Sequence, residues 1–411
     1  VTVLPGATAA ALYGSEAGNG VIVITTKKGT KGKINVSVNA GAVMESPFSL
    51  PKVQNTYGQG FDGNLSASGS SWGAKMNGQS YTNYLEEERK YSPEPNNIRD
   101  FFRNGLSLNN SVGISGGTDK VQTYLSYTNN AVKGIIPRNN LERHTVNLRT
   151  SYQLSKRFSA DAKITYMIQN IDHKPRTGET NSPIMDIYQI PRNVSIDDAR
   201  NYQYINNIGI PAPTDWPVTP KNFYQNPYWI VNNTSINEER NRIWGFLSAK
   251  FNITDWLNIT GRANLDKTMD SREDSYSIGT VEFATKPGGY FGILNRTAQQ
   301  KWFDLILSGN STITKDIRID YNIGAIYKRL DNKALDTRAD GLNMPNRFNL
   351  NFATTPFYDE SRYQVETHSL FGQVNLAFKD AIFVDATLRN DWTSTLPAPH
   401  SFRYYSLGGA V

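Results

Sequence analysis

The sequence has 411 residues, no cysteine, and a net charge of +6 from 43 basic and 37 acidic side chains. Its 38% hydrophobic and 11% aromatic content is too apolar for a disordered chain. It contains no apolar run of the roughly 18 residues that a transmembrane helix needs, and the lack of cysteine excludes disulfides. The basic residues are spread along the chain, so nucleic-acid binding is not indicated. The mean hydropathy of -0.51 fits a β-barrel, whose strands alternate apolar and polar residues.

The first informative segment joins a small-residue stretch, 5–14, to a turn-and-strand stretch, 19–29. It resembles the end of the plug domain of SusC/RagA-type TonB-dependent outer-membrane transporters. Glu16 and Gly18 depart from that pattern, because the family usually has Arg and Ala there. No targeting signal precedes the motif, so we expect a fragment in which residues 1–32 are the end of the plug. The plug motif residues are Leu12, Tyr13, Gly14, Asn19 and Gly20, the last two having the residue types of a tight turn.

From residue 33 onward, paired segments alternate apolar and polar residues and are joined by very short turns. The clearest pair covers 243–251 and 257–265, with its turn at Thr254-Asp255. Two similar pairs turn at Lys315-Asp316 and Lys379-Asp380. Their opposite faces carry the polar residues expected toward a wet lumen: Ser308, Asn310, Thr312, Asp320, Asn322, Gln373, Asn375 and Asp385. The pattern predicts about twelve strands of roughly 9 to 11 residues, the length that crosses a bilayer at a tilt.

Long segments alternate with these short turns along the whole chain. The long loops are predicted at about 44–105, 130–142, 171–240, 271–300 and 331–364. Short turns at one end and long extracellular loops at the other are typical of outer-membrane barrels. We therefore predict an all-β chain, with a transmembrane antiparallel β-barrel over residues 33–411. A soluble sandwich or propeller is the alternative, because a hairpin with one buried face shows the same alternation.

The resemblance to the SusC/RagA family extends into the predicted barrel, through residues 101–149, Asn226-Pro227-Tyr228-Trp229 and the stretch 389–397. It implies a barrel of about 22 strands, of which this chain holds about half. It also implies a place among the lipids of the outer membrane of a Gram-negative, Bacteroidota-like bacterium. The partners that it implies are a SusD-like surface lipoprotein acting as a lid, and TonB with its inner-membrane motor proteins.

Aromatic residues in two predicted loops are the candidates for contact with substrate or lid. They stand among many Asn and Gln residues, and aromatic faces beside amide groups suit both sugar stacking and the capture of a peptide backbone. A loop that packs on itself gives the same composition. The candidates are Trp72, Tyr202, Tyr204, Trp216, Tyr224 and Trp229.

Catalytic and metal-binding patterns find little support in the sequence. The histidines stand far apart, and neither a paired nucleophile nor a metal-ligand spacing accompanies them: His144, His173, His368 and His400. We therefore expect no enzyme activity, no metal and no cofactor. The leading hypothesis is TonB-dependent active import of an oligosaccharide or peptide. The alternative is a SusC-like barrel that serves as a structural or docking component of a larger outer-membrane assembly.

Overall fold

The computed structural model describes residues 2–4, 14, 17–24, 26–178, 180–281 and 286–411. Strands dominate these ranges, and the helices are short. The strands are β1 (Thr2–Leu4), β2 (Val21–Val23), β3 (Gly32–Glu45), β4 (Ser80–Thr82), β5 (Glu88–Lys90), β6 (Gly105–Gly117), β7 (Val121–Lys133), β8 (Asn140–Gln153), β9 (Phe158–Asp172), β10 (Gln203–Ile205), β11 (Pro211–Pro213), β12 (Thr234–Asn252), β13 (Leu257–Tyr276), β14 (Tyr290–Thr314), β15 (Ile317–Leu342), β16 (Ala353–Phe378), β17 (Ile382–Thr393) and β18 (Ser401–Ala410). The helices are α1 (Asn97–Phe101), α2 (Pro183–Tyr188), α3 (Ile196–Ala199), α4 (Pro227–Asn233) and a 3-10 turn at Leu350–Phe352. None of the helices in these ranges is long and apolar enough to cross a membrane.

Twelve strands form one antiparallel sheet in the order β18-β17-β16-β15-β14-β13-β12-β9-β8-β7-β6-β3. Neighbours in the sheet follow one another along the chain, apart from the small hairpins β4-β5 and β10-β11, which lie in the long connections. The short turns stand where the sequence predicts them, for example between β12 and β13 and between β16 and β17. The antiparallel all-β architecture and its strand number are therefore confirmed.

The two faces of the sheet differ in polarity, as the alternation predicts. One face exposes a continuous apolar band, in which Leu247 is 60%, Leu305 53% and Leu388 61% exposed. The other face carries polar pairs, such as Ser308, whose Oγ donates to Asn322 Oδ1 at 2.7 Å. Since successive side chains of a strand point to opposite faces, the first face suits lipid and the second suits a wet lumen.

The strands are much longer than the sequence pattern predicts. β14, β15 and β16 contain 25, 26 and 26 residues. The segments 271–300 and 331–364, expected as loops, are therefore largely strand, and the expected loop 130–142 shrinks to residues 134–139. The physical reason is that backbone pairing continues beyond the bilayer whatever the side chains are, so the end of apolar alternation does not mark the end of a strand.

The two longest connections, 46–104 and 173–233, pack on each other to form what we call the loop body. Its core contains buried residues from both connections, with Ile136 from a third. The main buried members are Ile98, Phe101, Phe102, Ile187, Val194, Trp216, Val218 and Val231. The loop body is therefore a packed unit at the long-loop end of the sheet.

We predict that Leu247→Arg destabilises the assembled protein by about 2–4 kcal/mol, because Leu247 lies at the middle of the lipid-facing run of β12. The measurement is denaturant unfolding of the full-length protein in lipid bilayers. The control is Ser248→Arg at the next residue, which points to the lumen face and should change stability little. Equal losses for the two variants would contradict the assignment of the faces.

Candidate functional site

The plug motif ends in a tight turn and a short hairpin. β2 pairs antiparallel with β1, and the turn before β2 is closed by Gly20, whose N–H donates to Ala17 O at 2.9 Å. Asn19 lies in this turn, and Gly20 has a φ of +98°, a conformation that glycine adopts without strain. Gly14 also has a positive φ, of +86°. Leu12 and Tyr13 lie outside the described residues.

We call the described part of residues 14–31, in the predicted end of the plug, the plug tail. Arg149 on β8 joins this plug tail to the lumen face of the sheet. Its Nη1 donates to the backbone O of Thr26 at 3.3 Å and to Thr26 Oγ1 at 2.9 Å. Its Nε and Nη2 form a two-pronged pair with Asp161 on β9, at 3.0 and 2.6 Å. The Arg149 side chain is only 8% exposed. Because Asp161 fixes the guanidinium plane, Arg149 presents its remaining donors to the plug tail in one orientation.

The segment that follows Thr26 lies directly on the wall. Lys28 Nζ is 3.9 Å from Asp161, and Lys31 Nζ is 2.5 Å from Asp119 in the turn before β7. Gly29 approaches the backbone of β7 so closely that an added Cβ would stand 2.4 Å from the N atom of Thr123. Glycine is therefore required at position 29 if the chain is to run along this strand.

A second charged pair on the lumen face lies against the other end of the plug tail. A Cβ added at Gly14 would stand 3.0 Å from Asp391 Oδ2 and 3.2 Å from Arg389 Nη2, both on β17. Arg389 Nε donates to Asp391 Oδ1 at 2.7 Å, and Nη2 donates to Ser369 Oγ at 2.9 Å. We call this pair and the Arg149–Asp161 pair the plug seat. Its contacts with the plug tail are made by polar groups.

A polar cavity of about 340 Å³ lies beside the Arg149–Asp161 half of the plug seat. Its wall includes Lys28 from the plug tail, Asp161, Ser248 and Lys250 from the sheet, and the turn residue Asp119. Its lining side chains are mostly polar or charged. Water in this cavity can therefore solvate the polar groups of the plug seat when their contacts with the plug tail break.

Arg192 connects the two halves of the loop body. It is 2% exposed, and its guanidinium donates to Asn97 Oδ1, to Asn55 Oδ1 at 3.0 Å, and to the backbone O of Glu94 at 2.9 Å. Burial lowers the pKa of Arg192. These donors satisfy carbonyl and amide oxygens that folding removes from water, so one side chain of the 173–233 connection orders the 46–104 connection.

The structure separates the six aromatic candidates by exposure. Trp229 is fully buried, and its Nε1 donates to Thr280 Oγ1 at 3.1 Å, while Trp216 is 4% exposed and packs edge-on against Tyr84. Tyr224 and Tyr202 are half-buried, and Tyr224 packs against the loop-body core. Trp72 is 59% exposed with its ring 5.9 Å from that of Tyr57, and Tyr204 is 56% exposed. A lid or substrate can therefore reach Trp72 and Tyr204 most readily.

Sequence reasoning missed the charged residues of the plug seat and the central role of Arg192. Arg149 and Arg389 lie in stretches that resemble the family, but their roles depend on partners on other strands. A usable signal was present in β17, where Arg389 and Asp391 stand two apart, so that opposite charges share the lumen-facing side of one strand. Arg192 gave no signal, because a single arginine in a polar loop is most often solvated.

A buried carboxyl group lies in the loop body at Asp186 on α2. Its Oδ1 accepts from the backbone N–H of Gln225 at 3.3 Å, whereas Oδ2 has no hydrogen-bond partner among the described residues. Burial raises the pKa of Asp186 well above its ordinary value of 3.8. Because the folded state favours the protonated acid, the stability that this acid contributes is present below pH 3.8 and is lost as the pH rises through the raised value.

We predict that Asp186→Asn raises the opening free energy of the loop body by about 1–3 kcal/mol at pH 7.5, because a neutral amide replaces a poorly partnered buried charge. The gain should be smaller at pH 5. Hydrogen exchange of the α2 and α4 amides in the full-length protein measures it. Asp197→Asn is the control, because the Asp197 side chain is 80% exposed and should give no gain. A gain of equal size at both pH values would count against the titration of Asp186.

Comparison with known proteins relates the chain to TonB-dependent receptors. No family model matches the sequence. The TonB-dependent receptor P3 of Formosa agariphila is 22% identical over 415 residues, which cover 99% of this chain and 38% of that receptor. The TonB-dependent receptor SusC of Bacteroides thetaiotaomicron is 32% identical over 193 residues, which cover 45% of this chain and 17% of that receptor. The TonB-dependent receptor P26 of the same organism as P3 is also 22% identical, over 98% of this chain and 39% of that receptor. The chain thus spans less than half the length of each of these receptors.

The fold is similar to that of the RagAB peptide importer. In the "closed-closed" state the TM-score is 0.74 at 16% identity, over 99% of this chain and 47% of that one, and in the "open-open" state it is 0.72. At such identity the similarity shows the fold, which excludes a soluble sandwich or propeller. Together with the sequence relatives, which are TonB-dependent receptors and include SusC, it confirms the predicted outer-membrane β-barrel fold and the resemblance to the SusC/RagA family.

Proposed function

We propose that the protein carries out TonB-dependent active import of an oligosaccharide or a peptide across the outer membrane. The observation that carries this proposal is the plug seat, in which the end of a plug is fixed to the lumen face by hydrogen bonds and ion pairs. A wide barrel needs such a blocking domain to prevent leakage, and a blocked barrel transports only if the block can be displaced.

The chemistry of the plug seat suits displacement. Each hydrogen bond contributes about 0.5–1.5 kcal/mol net, or about 1.5–3 kcal/mol when one group is charged, because water replaces the partner when the contact breaks. A lumen wall with open polar space beside Arg149 offers that water. A pull on the plug, which we assign to TonB and its inner-membrane motor proteins, can then rearrange the plug while the hydrogen-bonded sheet stays intact.

At the extracellular end, we propose that the loop body receives a SusD-like lipoprotein lid. Its buried core gives a rigid platform, and its exposed aromatic residues, Trp72 and Tyr204, are our candidates for contact with the lid or the substrate. Such residues supply large contact area at small conformational cost. The protein is not proposed to be an enzyme, since recognition and gating account for the residues described.

For the whole protein we propose a barrel of about 22 strands, as the resemblance implies. Residues 1–32 then form the end of the plug, and residues 33–411 form about half of the barrel wall. The sheet edges at β3 and β18 present unpaired backbone groups, which hydrocarbon does not tolerate. We therefore assign both edges to pairing with further strands.

Native mass spectrometry of the detergent-purified full-length complex tests the proposed import. We expect one lipidated subunit and a bound mass in the range of a peptide or an oligosaccharide. A barrel recovered with many components and without ligand would contradict import and favour a docking role. For the double variant Trp72→Ala/Tyr204→Ala we expect at least about fivefold less bound lipoprotein or ligand. The control is Phe48→Ala, whose ring is 96% exposed and is not among the candidates.

We predict that Arg149→Gln in the full-length protein makes cells more permeable to a large hydrophilic antibiotic. The variant loses the charged hydrogen bonds to Thr26, which contribute about 1.5–3 kcal/mol each to holding the plug tail on the wall. It also loses the pair with Asp161 that orients the side chain. Antibiotic susceptibility at equal expression is the measurement. Arg143→Gln is the matched control on β8, because Arg143 bonds to Gln169 Oε1 at 2.8 Å on the same face. Equal sensitisation by both variants would show that the effect is not specific to the plug seat.

A further inference from the structure

The outward face of β14 to β16 passes from apolar to charged at a defined level. On β15 the outward residues run from Ile317 to Tyr327, which is about 33 Å of strand at 3.3 Å per residue. At a strand tilt of about 40°, this run covers roughly 25 Å of height, the thickness of the apolar band of an outer-membrane barrel. The outward residues that follow Tyr327 therefore lie at the level of the lipid headgroups on the long-loop side.

An aromatic row marks that boundary. Phe303, Tyr327, His368 and Trp392 are direct cross-strand partners on β14, β15, β16 and β17. The rings of Phe303 and Tyr327 are stacked at 6.4 Å, and those of Tyr327 and His368 meet at 5.1 Å. Aromatic girdles occur at the interface between hydrocarbon and headgroups, so the row fixes the level independently of the length estimate.

One step above the aromatic row, the outward face becomes strongly basic. Lys301 pairs across the sheet with Arg329, and Lys333 pairs with Arg362 four residues further along β15. Lys267 on β13 lies diagonal to Lys301, within reach of its long side chain. We call the five cations the basic patch: Lys267, Lys301, Arg329, Lys333 and Arg362.

The two carboxylates within the basic patch are both engaged by Arg329. Its Nε donates to Asp331 Oδ2 at 2.9 Å, and its Nη1 donates to Glu366 Oε1 at 3.2 Å. Tyr327 also donates to Glu366 at 3.3 Å. No ion pair is made by the other four cations within the part of the chain that the structure describes. Glu360, two residues before Arg362 on the same face, is a third carboxylate beside the patch, and Asp331 attracts Lys301 and Lys333 at longer range. Five cations against three carboxylates leave a net charge of +2.

The basic patch is local to β13–β16. On the neighbouring strands, the first polar outward residues beyond the apolar run are Asn129 on β7, His144 on β8, Asn170 on β9 and Asn241 on β12. None of these is lysine or arginine. Single outward cations also occur elsewhere, at Lys133 on β7 and Arg403 on β18. What distinguishes β13–β16 is that cations stand directly opposite one another, in the pairs named above. Like charges in such positions repel, so the cluster points to an anionic partner.

We propose that the basic patch binds the phosphate of a phosphorylated glycolipid in the extracellular leaflet of the outer membrane. The cations at headgroup level exceed the carboxylates beside them and need further counter-charge, and lipid phosphates are the anions present at that level. The aromatic row beneath them contacts the start of the acyl chains, while Arg329 orders the patch through its two carboxylates. The site lies on the lipid-facing side of the wall and does not depend on the proposed import.

Native mass spectrometry of the full-length protein in detergent tests this site, with monophosphoryl lipid A as the probe. The comparison probe is the same acylated disaccharide without its phosphate. We expect more molecules of the phosphorylated probe than of the unphosphorylated probe to bind per protein. The phosphorylated probe should be released as the salt concentration rises. Lys301→Ser/Lys333→Ser should weaken its apparent affinity about 10- to 30-fold.

Two controls separate this result from a loss of folding or of total charge. Lys301→Arg/Lys333→Arg should keep the affinity, because both charges remain. Lys75→Ser/Lys90→Ser removes two cations from the loop body and should leave lipid binding unchanged. Equal binding of the two probes, or equal binding by wild type and Lys301→Ser/Lys333→Ser, would overturn the proposal and reduce the patch to solvated surface charge.

Discussion

The whole structure depends on the need to pair every backbone N–H and C=O group within hydrocarbon, where water cannot replace a missing partner. Twelve antiparallel strands meet this need by bonding to their sequence neighbours, and the same ladder continues well above the bilayer in β14, β15 and β16. The bonding is lateral, so the side chains are free to differ between the two faces. One sheet can therefore face lipid on one side and water on the other.

That division of faces creates the two sites of the wall. On the lumen face, Arg149 with Asp161 and Arg389 with Asp391 can be charged because they are paired and lie among polar groups. On the outward face, cations are tolerated only where the apolar run ends, as at Lys301 and Lys333. The plug seat and the basic patch thus follow from the same alternation with period two, which gives every strand one lumen-facing side and one outward side.

The loop body solves a different problem. The long connections outside the membrane are not held by the hydrogen bonds of the large sheet. A small hydrophobic core orders them instead. Arg192 adds order by donating hydrogen bonds to oxygen atoms of the 46–104 connection. The buried carboxyl group of Asp186 makes the stability of the loop body depend on pH. A platform with a buried core and exposed aromatic residues suits contact with the proposed lipoprotein lid.

The sequence by itself determined the antiparallel barrel wall, its strand number, the face of each apolar run and the resemblance to the SusC/RagA family, because these depend on local alternation and short motifs. Only the tertiary structure decided where the strands end, because ladders at 271–300 and 331–364 extend through polar sequence. It also decided which aromatic residues are reachable, burying Trp216 and Trp229 and exposing Trp72 and Tyr204. The contact of Arg149 with Thr26 and the contacts of Arg192 with the 46–104 connection join residues more than 90 positions apart, and no local pattern encodes such partners.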